Sequence, residues 1–169
     1  MKKKIIICIC ILILSVLCGC SNSSKSATSI EEDFLAFMNE KLPPVEQEER
    51  AVMEIYNSYF AENKTLDPDA LLQELDQNIL PQYKTFMEHL SSIKVNTKSV
   101  QEILDLYIAS MDLQQQSMEK IRQALSENSE EYQKEATTLY TQSAAKYEEY
   151  QRAVESLAEK YQINIRESN

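Results

Sequence analysis

The sequence predicts an all-α fold: an elongated up-down bundle of about four helices, coiled-coil-like and kinked at prolines. Three observations support this prediction. Apolar residues recur at spacings of three and four over most of the 169 residues, which is the period of an amphipathic helix. Short polar stretches with helix-capping residues separate these runs, and short connections favour antiparallel neighbours. The chain has one glycine, Gly19, whereas the tight turns of a hairpin-rich sheet protein usually need several glycines.

The first predicted helix begins after Ser29, which forms a capping-box pair with Glu32. Pro43 and Pro44 should break or kink it, because proline lacks an N–H and disfavours helix in the preceding residue. Residues 45–61 nevertheless continue the same heptad phase, so we expect one bent rod. The apolar stripe of this rod comprises Ile30, Phe34, Phe37, Met38, Leu42, Val45, Val52, Ile55, Tyr56 and Tyr59.

A turn at residues 63–67 should precede the second rod. Asp67 can cap this rod, and Pro68 suits its first helical position. Pro81 lies inside the apolar pattern, so a kink is expected near residues 77–78. The apolar stripe comprises Leu71, Leu72, Leu75, Ile79, Tyr83, Phe86, Met87, Leu90 and Ile93.

The third predicted helix has the clearest periodicity of the chain. Ser99 and Glu102 form a second capping-box pair at its start. The stripe that follows steps by four and three in the coiled-coil pattern, with Gln114 as its one polar member. It comprises Val100, Leu104, Tyr107, Met111, Gln114, Met118, Ile121 and Leu125.

The fourth predicted helix runs from Glu130 to about Gln162. A turn at residues 126–129 precedes it, with Asn128 and Glu131 as a further cap. Small side chains line the middle of this helix and would allow a neighbouring helix to approach closely. They are Ala136, Ser143, Ala144 and Ala145.

Few residues are suited to catalysis or to metal binding. His89 is the one histidine and no Glu-x-x-His pair is present, so we expect a solvated histidine near a helix end. Glu46, Glu48 and Glu49 are interpreted as first-turn carboxylates that interact favourably with the helix dipole, in preference to a metal site. The sequence therefore predicts a protein that is not an enzyme, without catalytic residues, a metal site or a cofactor.

The nine tyrosines are more suggestive. Tyr140, Tyr147 and Tyr150 lie near one another along the fourth predicted helix. If they flank its core stripe, they can present an amphipathic surface to a partner or a glycan. The alternative is an edge of the core whose hydroxyl groups reach water.

The N-terminus carries the features of a secretory signal. Residues 2–4 are lysines and precede an apolar run, residues 5–14, that is shorter than the roughly 20 residues of a membrane-spanning helix. The sequence LCGC at residues 17–20 resembles the lipobox of bacterial lipoprotein precursors. This resemblance implies transfer of a diacylglyceryl group to the Cys20 thiol and cleavage between Gly19 and Cys20.

The predicted organisation therefore has three segments. Residues 1–19 are a lipoprotein signal peptide that is removed. Residues 20–29 hold the lipidated cysteine and a flexible, serine-rich tether, and residues 30–169 form the helical bundle. The other three cysteines, Cys8, Cys10 and Cys18, lie in the removed part, so the mature chain cannot form an internal disulfide.

The lipid at Cys20 would hold the protein on the extracytoplasmic face of a bacterial cell membrane. Ser21 and the low-complexity tether resemble those of Gram-positive lipoproteins. Stable attachment needs two acyl chains, which a diacylglyceryl group supplies.

The body of the chain is acidic. The formal net charge is −10, from 17 basic and 27 acidic residues. Without the three N-terminal lysines, 14 basic residues remain against 27 acidic ones, a net charge of −13. Such a body repels phosphate backbones and anionic lipid surfaces, so nucleic acid is not an expected partner.

These observations predict a lipid-anchored lipoprotein whose non-catalytic bundle binds another protein of the cell envelope. The alternative is a lipoprotein that holds a small molecule or a metal in a cavity of the bundle, among methionine, tyrosine and carboxylate side chains. The sequence leaves the oligomeric state open.

Overall fold

The computed structural model describes residues 29–60 and 65–163 of the chain. The predicted signal peptide, the predicted cleavage site at Gly19 and the predicted lipidation site at Cys20 lie outside the described residues. Every regular element within the described residues is a helix, so the all-α prediction is confirmed.

The described helices form four rods in chain order. The first rod consists of α1 (Ile30–Ala36), a π-helical turn (Phe37–Lys41) and α2 (Leu42–Ser58). The second rod consists of α3 (Pro68–Glu74), a π-helical turn (Leu75–Ile79) and α4 (Leu80–Ser92). The third and fourth rods are the uninterrupted helices α5 (Lys98–Glu127) and α6 (Glu130–Tyr161). The 32 residues of α6 span about 48 Å at 1.5 Å per residue, so the bundle is elongated.

Both π-helical turns lie directly before helix-interior prolines. The first ends two residues before Pro43, and the second ends two residues before Pro81. A proline ring clashes with the carbonyl group four residues earlier, and a local π turn relieves such a clash without ending the helix. The first rod therefore continues through Pro43 and Pro44 as one rod, as predicted, and the kink expected at residues 77–78 falls within the second π turn.

Two of the predicted N-terminal caps are confirmed. The Ser29 hydroxyl accepts from the Glu32 amide at 3.1 Å, and the Glu32 carboxylate accepts from the Ser29 amide at 3.1 Å. The Asp67 carboxylate accepts from the Ala70 amide at 3.1 Å, with Pro68 at the first helical position.

The other two predicted caps are wrong. α5 begins at Lys98 with Thr97 as its N-cap, so Ser99 lies inside the helix and forms no capping box with Glu102. α6 is capped by Ser129, whose hydroxyl accepts from an amide of the first turn. Asn128 instead ends α5 in the left-handed conformation, with φ of 51°, which asparagine tolerates better than most residues.

The four rods run alternately up and down. Residue numbers rise along one rod as they fall along the rod that contacts it. Between the first and second rods, the contacts that show this are Lys41 with Lys94 and Glu48 with His89. Between the second and third rods they are Tyr83 with Met111 and Asp76 with Arg122. Between the third and fourth rods they are Ser110 with Ser143 and Ser117 with Ala136. α5 lies at the centre and contacts the other three rods.

α5 and α6 approach each other closely along a seam of small residues. The Ser110 hydroxyl donates to the Ser143 carbonyl at 2.9 Å, and the Ser143 hydroxyl donates to the Ser110 carbonyl at 2.9 Å. Nearer the other end of the seam, the Ser117 hydroxyl donates to the Ala136 carbonyl at 2.8 Å. The close approach predicted from Ala136 and Ser143 is confirmed, whereas the two alanines after Ser143 are exposed.

A buried carboxylate joins the first rod to the start of α5. Asp33 is fully buried and accepts hydrogen bonds from the backbone amides of Asn96 and Thr97, both at 2.8 Å. The Asn96 amide group and the Thr97 hydroxyl also donate to it. Burial by itself raises the pKa of Asp33, but these four hydrogen bonds together outweigh it and leave the pKa below its ordinary value.

Candidate functional site

An open groove runs along the bundle between α2 and α6. α6 packs closely on α5, whereas α2 packs on α4 and reaches α5 through side-chain contacts of Glu49 and Met53. The backbones of α2 and α6 make few close contacts with each other, and residues of α5 form the floor between them. The largest cavity in the groove has a volume of about 350 Å³, and smaller cavities continue it in both directions. Its principal lining residues are Glu46, Glu49, Met53, Tyr56 and Phe60 of the first rod and the turn after it, Gln114, Met118 and Ile121 of α5, and Tyr140 and Tyr147 of α6.

All of the large hydrophobic side chains that are exposed in the described part of the chain line this groove. They are Phe60, Leu66, Tyr140 and Tyr147, with exposed fractions of 51%, 39%, 60% and 38%. Single exposed apolar residues are ordinary on a protein surface, but their gathering along one groove makes this groove the candidate binding surface.

The structure divides the three tyrosines predicted as a partner surface. Tyr140 and Tyr147 are exposed at the groove. Tyr150 is 5% exposed and its ring stacks on that of Tyr107 with 4.8 Å between centroids, so its assignment to the surface is wrong. Tyr150 belongs to the alternative that the sequence left open, the edge of the core.

Two carboxylates lie at the end of the groove nearer the middle of the bundle. Glu49 accepts a 2.6 Å hydrogen bond from the Tyr107 hydroxyl. Burial raises the pKa of Glu49, and the hydrogen bond from Tyr107 offsets this only in part. Burial, followed by repulsion from Glu49, raises the pKa of Glu46, while Arg50 opposes the shift. This end of the groove therefore holds negative charge in a partly desolvated place.

The interpretation of these carboxylates as first-turn residues is wrong. α2 begins at Leu42 and continues the first rod, so Glu46 and Glu49 do not follow a free helix N-terminus. Glu48 has a different role, since its carboxylate lies 2.8 Å from His89 Nδ1 on α4.

The middle of the groove combines polar and sulfur-containing groups. Gln114, the one polar member of the α5 stripe, is half-buried and donates to the Met53 sulfur at 3.3 Å. The Tyr83 hydroxyl lies 3.2 Å from the Gln114 carbonyl oxygen and 3.1 Å from the Met111 backbone carbonyl. Burial raises the pKa of Tyr56 to about 12, so this tyrosine is neutral at physiological pH.

The described residues bring together no further candidate for chemistry. His89 is exposed and pairs with Glu48, away from the groove. No group of three or more histidine, cysteine, aspartate or glutamate side chains within the described ranges could hold a metal ion. Among the helices at residues 29–60 and 65–163, none combines the length and hydropathy needed to cross a membrane.

Comparison with known proteins found no family model, no curated protein and no solved structure that matches this chain.

Proposed function

We propose that this chain is a lipid-anchored bacterial lipoprotein whose helical bundle binds another protein of the cell envelope and performs no catalysis itself. The observation that supports binding is the gathering of four exposed large hydrophobic side chains along the groove between α2 and α6 and its continuation beside the start of α3. A gathering of exposed apolar side chains with polar residues around it is typical of a surface that binds a partner.

The proposed anchor places this groove outside the membrane. The lipidated Cys20 is followed by a tether that ends at Ser29, where the first capping box begins. A serine-rich linker of this length, nine residues, is expected to reach roughly 15 Å. A body with net negative charge is repelled by anionic lipids, so we expect the bundle to stay off the bilayer surface. The groove then remains accessible to a partner.

Mass spectrometry of the protein isolated from its own membranes tests the anchor. The expected chain begins at Cys20 and carries a diacylglyceryl thioether. Cys20→Ser should leave the chain unlipidated, and Cys18→Ser serves as the control that retains lipidation. A chain that still begins at Met1, or an unmodified Cys20, contradicts the lipoprotein proposal.

Site-specific photo-crosslinking in intact cells tests the binding function. A photoreactive phenylalanine analogue replaces Tyr140 in the groove, and in a separate strain it replaces Lys84, an exposed residue of α4 on the second rod. We expect a defined protein adduct from position 140 and none from position 84. The absence of any protein adduct at position 140 contradicts the proposed function.

The cavity itself favours one alternative, a small-molecule ligand. Its volume of about 350 Å³ lies within the range of ligand pockets, roughly 300–1,000 Å³, and Met53, Met118 and Tyr56 give it an apolar lining. Native mass spectrometry of the protein released gently from membranes tests this alternative. A stoichiometric mass increment beyond the lipid that disappears on denaturation would support it, and its absence would favour the protein partner.

A further inference from the structure

We infer that the partner segment bound in the groove is an amphipathic α-helix that carries a basic residue opposite Glu46 and Glu49. This inference rests on the proposed function and specifies the partner's chemistry. It follows from the shape of the groove, from its length and from the distribution of charge along it.

The walls of the groove favour a helix over an extended strand. α2 and α6 run antiparallel, since each is oriented by its contacts with α5, and their backbone groups are bonded within the helices. A peptide that binds by adding a β-strand needs an exposed strand edge to supply main-chain hydrogen bonds, and the described residues form no strand. A helix satisfies its own backbone groups and needs only an apolar face, which is what the groove can bury.

The exposed apolar side chains of the groove are spread over a length that equals about three turns of a bound helix. Phe60 lies just after the end of α2, and Tyr147 lies opposite Glu49 towards the middle of the bundle. Eleven residues separate Glu49 from Phe60 along the first rod, which corresponds to about 16 Å at 1.5 Å per residue. Tyr140 projects from α6 between these two positions. A bound helix would therefore present its anchors at about i, i+4, i+7 and i+11.

The charge of the groove selects a basic partner. Glu46 and Glu49 repel each other at one end, where burial raises the pKa of both, and Glu130 lies at the other end. Arg50 is the one basic residue among the groove-lining residues that the structure describes. A lysine or arginine from the partner would reduce the repulsion between the two carboxylates and could lie against the Tyr147 ring.

The same charge argues against a second copy of this chain as the occupant. The chain carries 27 acidic residues against 17 basic ones, so two copies repel each other over most approaches. Pairing of two grooves would also place Glu46 and Glu49 of both copies at the interface.

The spacing of crosslinked sites on the partner tests the helical geometry. The photoreactive phenylalanine analogue replaces Phe60 in one strain and Tyr147 in another, and mass spectrometry identifies the captured residue on the partner. Across about 16 Å, a helix places these two residues about 11 positions apart, whereas an extended segment places them about 5 apart. A separation near 5, or a captured segment without lysine or arginine, overturns the inference.

Charge reversal on α2 tests the basic residue. Glu46→Lys should reduce the yield of the adduct at position 147 at least tenfold, and Glu46→Gln about threefold. Glu54→Lys is the matched control, because it changes the net charge equally from the outer face of the same helix and should leave the yield unchanged. Equal loss in Glu46→Lys and Glu54→Lys overturns the inference, because it shows that only overall charge matters.

The possible results distinguish this inference from the proposed function. Capture of a second copy of this chain, a lipid or a small molecule at positions 60 and 147 overturns the bound helix. Capture of a different protein at position 140 retains the proposed function even if the spacing or charge tests fail. If none of the three positions captures a protein, both the helix and the proposed function are wrong.

Discussion

The two ends of the bundle differ in how completely the rods pack together. At the end that holds the start of the first rod and the end of α6, Phe34, Val100 and Leu104 are buried and Asp33 has four hydrogen bonds. At the opposite end, α2 and α6 leave a groove, and Phe60 and Leu66 remain exposed. We call these the closed half and the open half.

α5 shows the same contrast along its length. Its stripe residues from Val100 to Met111 are buried, whereas Ile121 and Leu125 are only partly buried. An apolar side chain left in water forgoes about 1.5–3 kcal/mol of burial free energy. The open half therefore contributes less burial free energy than the closed half. This difference is expected if the closed half supports the fold and the open half binds the proposed partner.

Replacement of Asp33 should produce the largest loss of stability. Asp33→Ala removes the buried carboxylate to which the backbone amides of Asn96 and Thr97 donate hydrogen bonds. Because both amides then lose their acceptor, we expect a loss of about 3 kcal/mol in the free energy of unfolding. Urea titration followed by circular dichroism measures it. Asp76→Ala, which removes an exposed partner of Arg122, should cost less than about 1 kcal/mol. Equal losses would show that Asp33 does not hold the closed half together.

Two neighbouring residues of α6 separate the packed face from the groove face. Ser143→Leu forces a larger side chain into the seam with Ser110 and should cost about 2 kcal/mol of unfolding free energy. Ala144→Leu changes a groove-lining residue and should alter stability by less than about 0.5 kcal/mol. Thermal unfolding of both variants measures the difference, and similar melting temperatures would contradict the division of α6 into two faces.

Local signals were sufficient to predict the helices. The capping box at Ser29, the cap at Asp67 and the stripe of α5 each depend on residues within one or two turns. The prediction of the cap residue was wrong where several possible capping residues lie close together in the sequence. Thr97 lies close to Ser99, and its hydroxyl is held by the distant Asp33, which no local pattern reveals.

The groove could not be predicted because periodicity identifies an apolar face but not whether a neighbour covers it. Tyr147 and Tyr150 lie three residues apart on one side of α6, yet only Tyr150 is buried. One signal was present in the sequence. Glu49 follows Val45 by four residues and precedes Val52 by three, so an acidic residue occupies a position of the apolar stripe.

Asp33 in the closed half and Glu46 in the groove should respond oppositely to pH. The pKa of Asp33 is lowered, so its contribution to stability is present above the unfolded pKa of about 3.9 and is lost as pH falls through the folded value. The pKa of Glu46 is raised, so its contribution is present below about 4.3 and is lost as pH rises through the folded value. Glu46→Gln should therefore increase stability near pH 7, by less than about 1 kcal/mol.

Urea midpoints measured between about pH 3 and 7 test this prediction. Asp33→Asn should flatten the acid limb of the profile, and Glu46→Gln should raise only the neutral limb. Glu102→Gln, at an exposed position of α5, is the control and should leave the shape unchanged. A profile that Asp33→Asn does not flatten would contradict the role assigned to its carboxylate.

The smallest effect on stability is expected where the effect on binding is largest. Tyr140 is 60% exposed, so Tyr140→Ala should change the free energy of unfolding by less than about 0.5 kcal/mol. The same variant should reduce capture of the partner through position 147 at least tenfold, because the tyrosine is a central apolar contact of the groove. Lys134→Ala, an exposed change on the same helix, should affect neither measurement. A stability loss of about 2 kcal/mol with unchanged capture would mean that Tyr140 supports the fold. That result would contradict the proposal that the open half binds the partner.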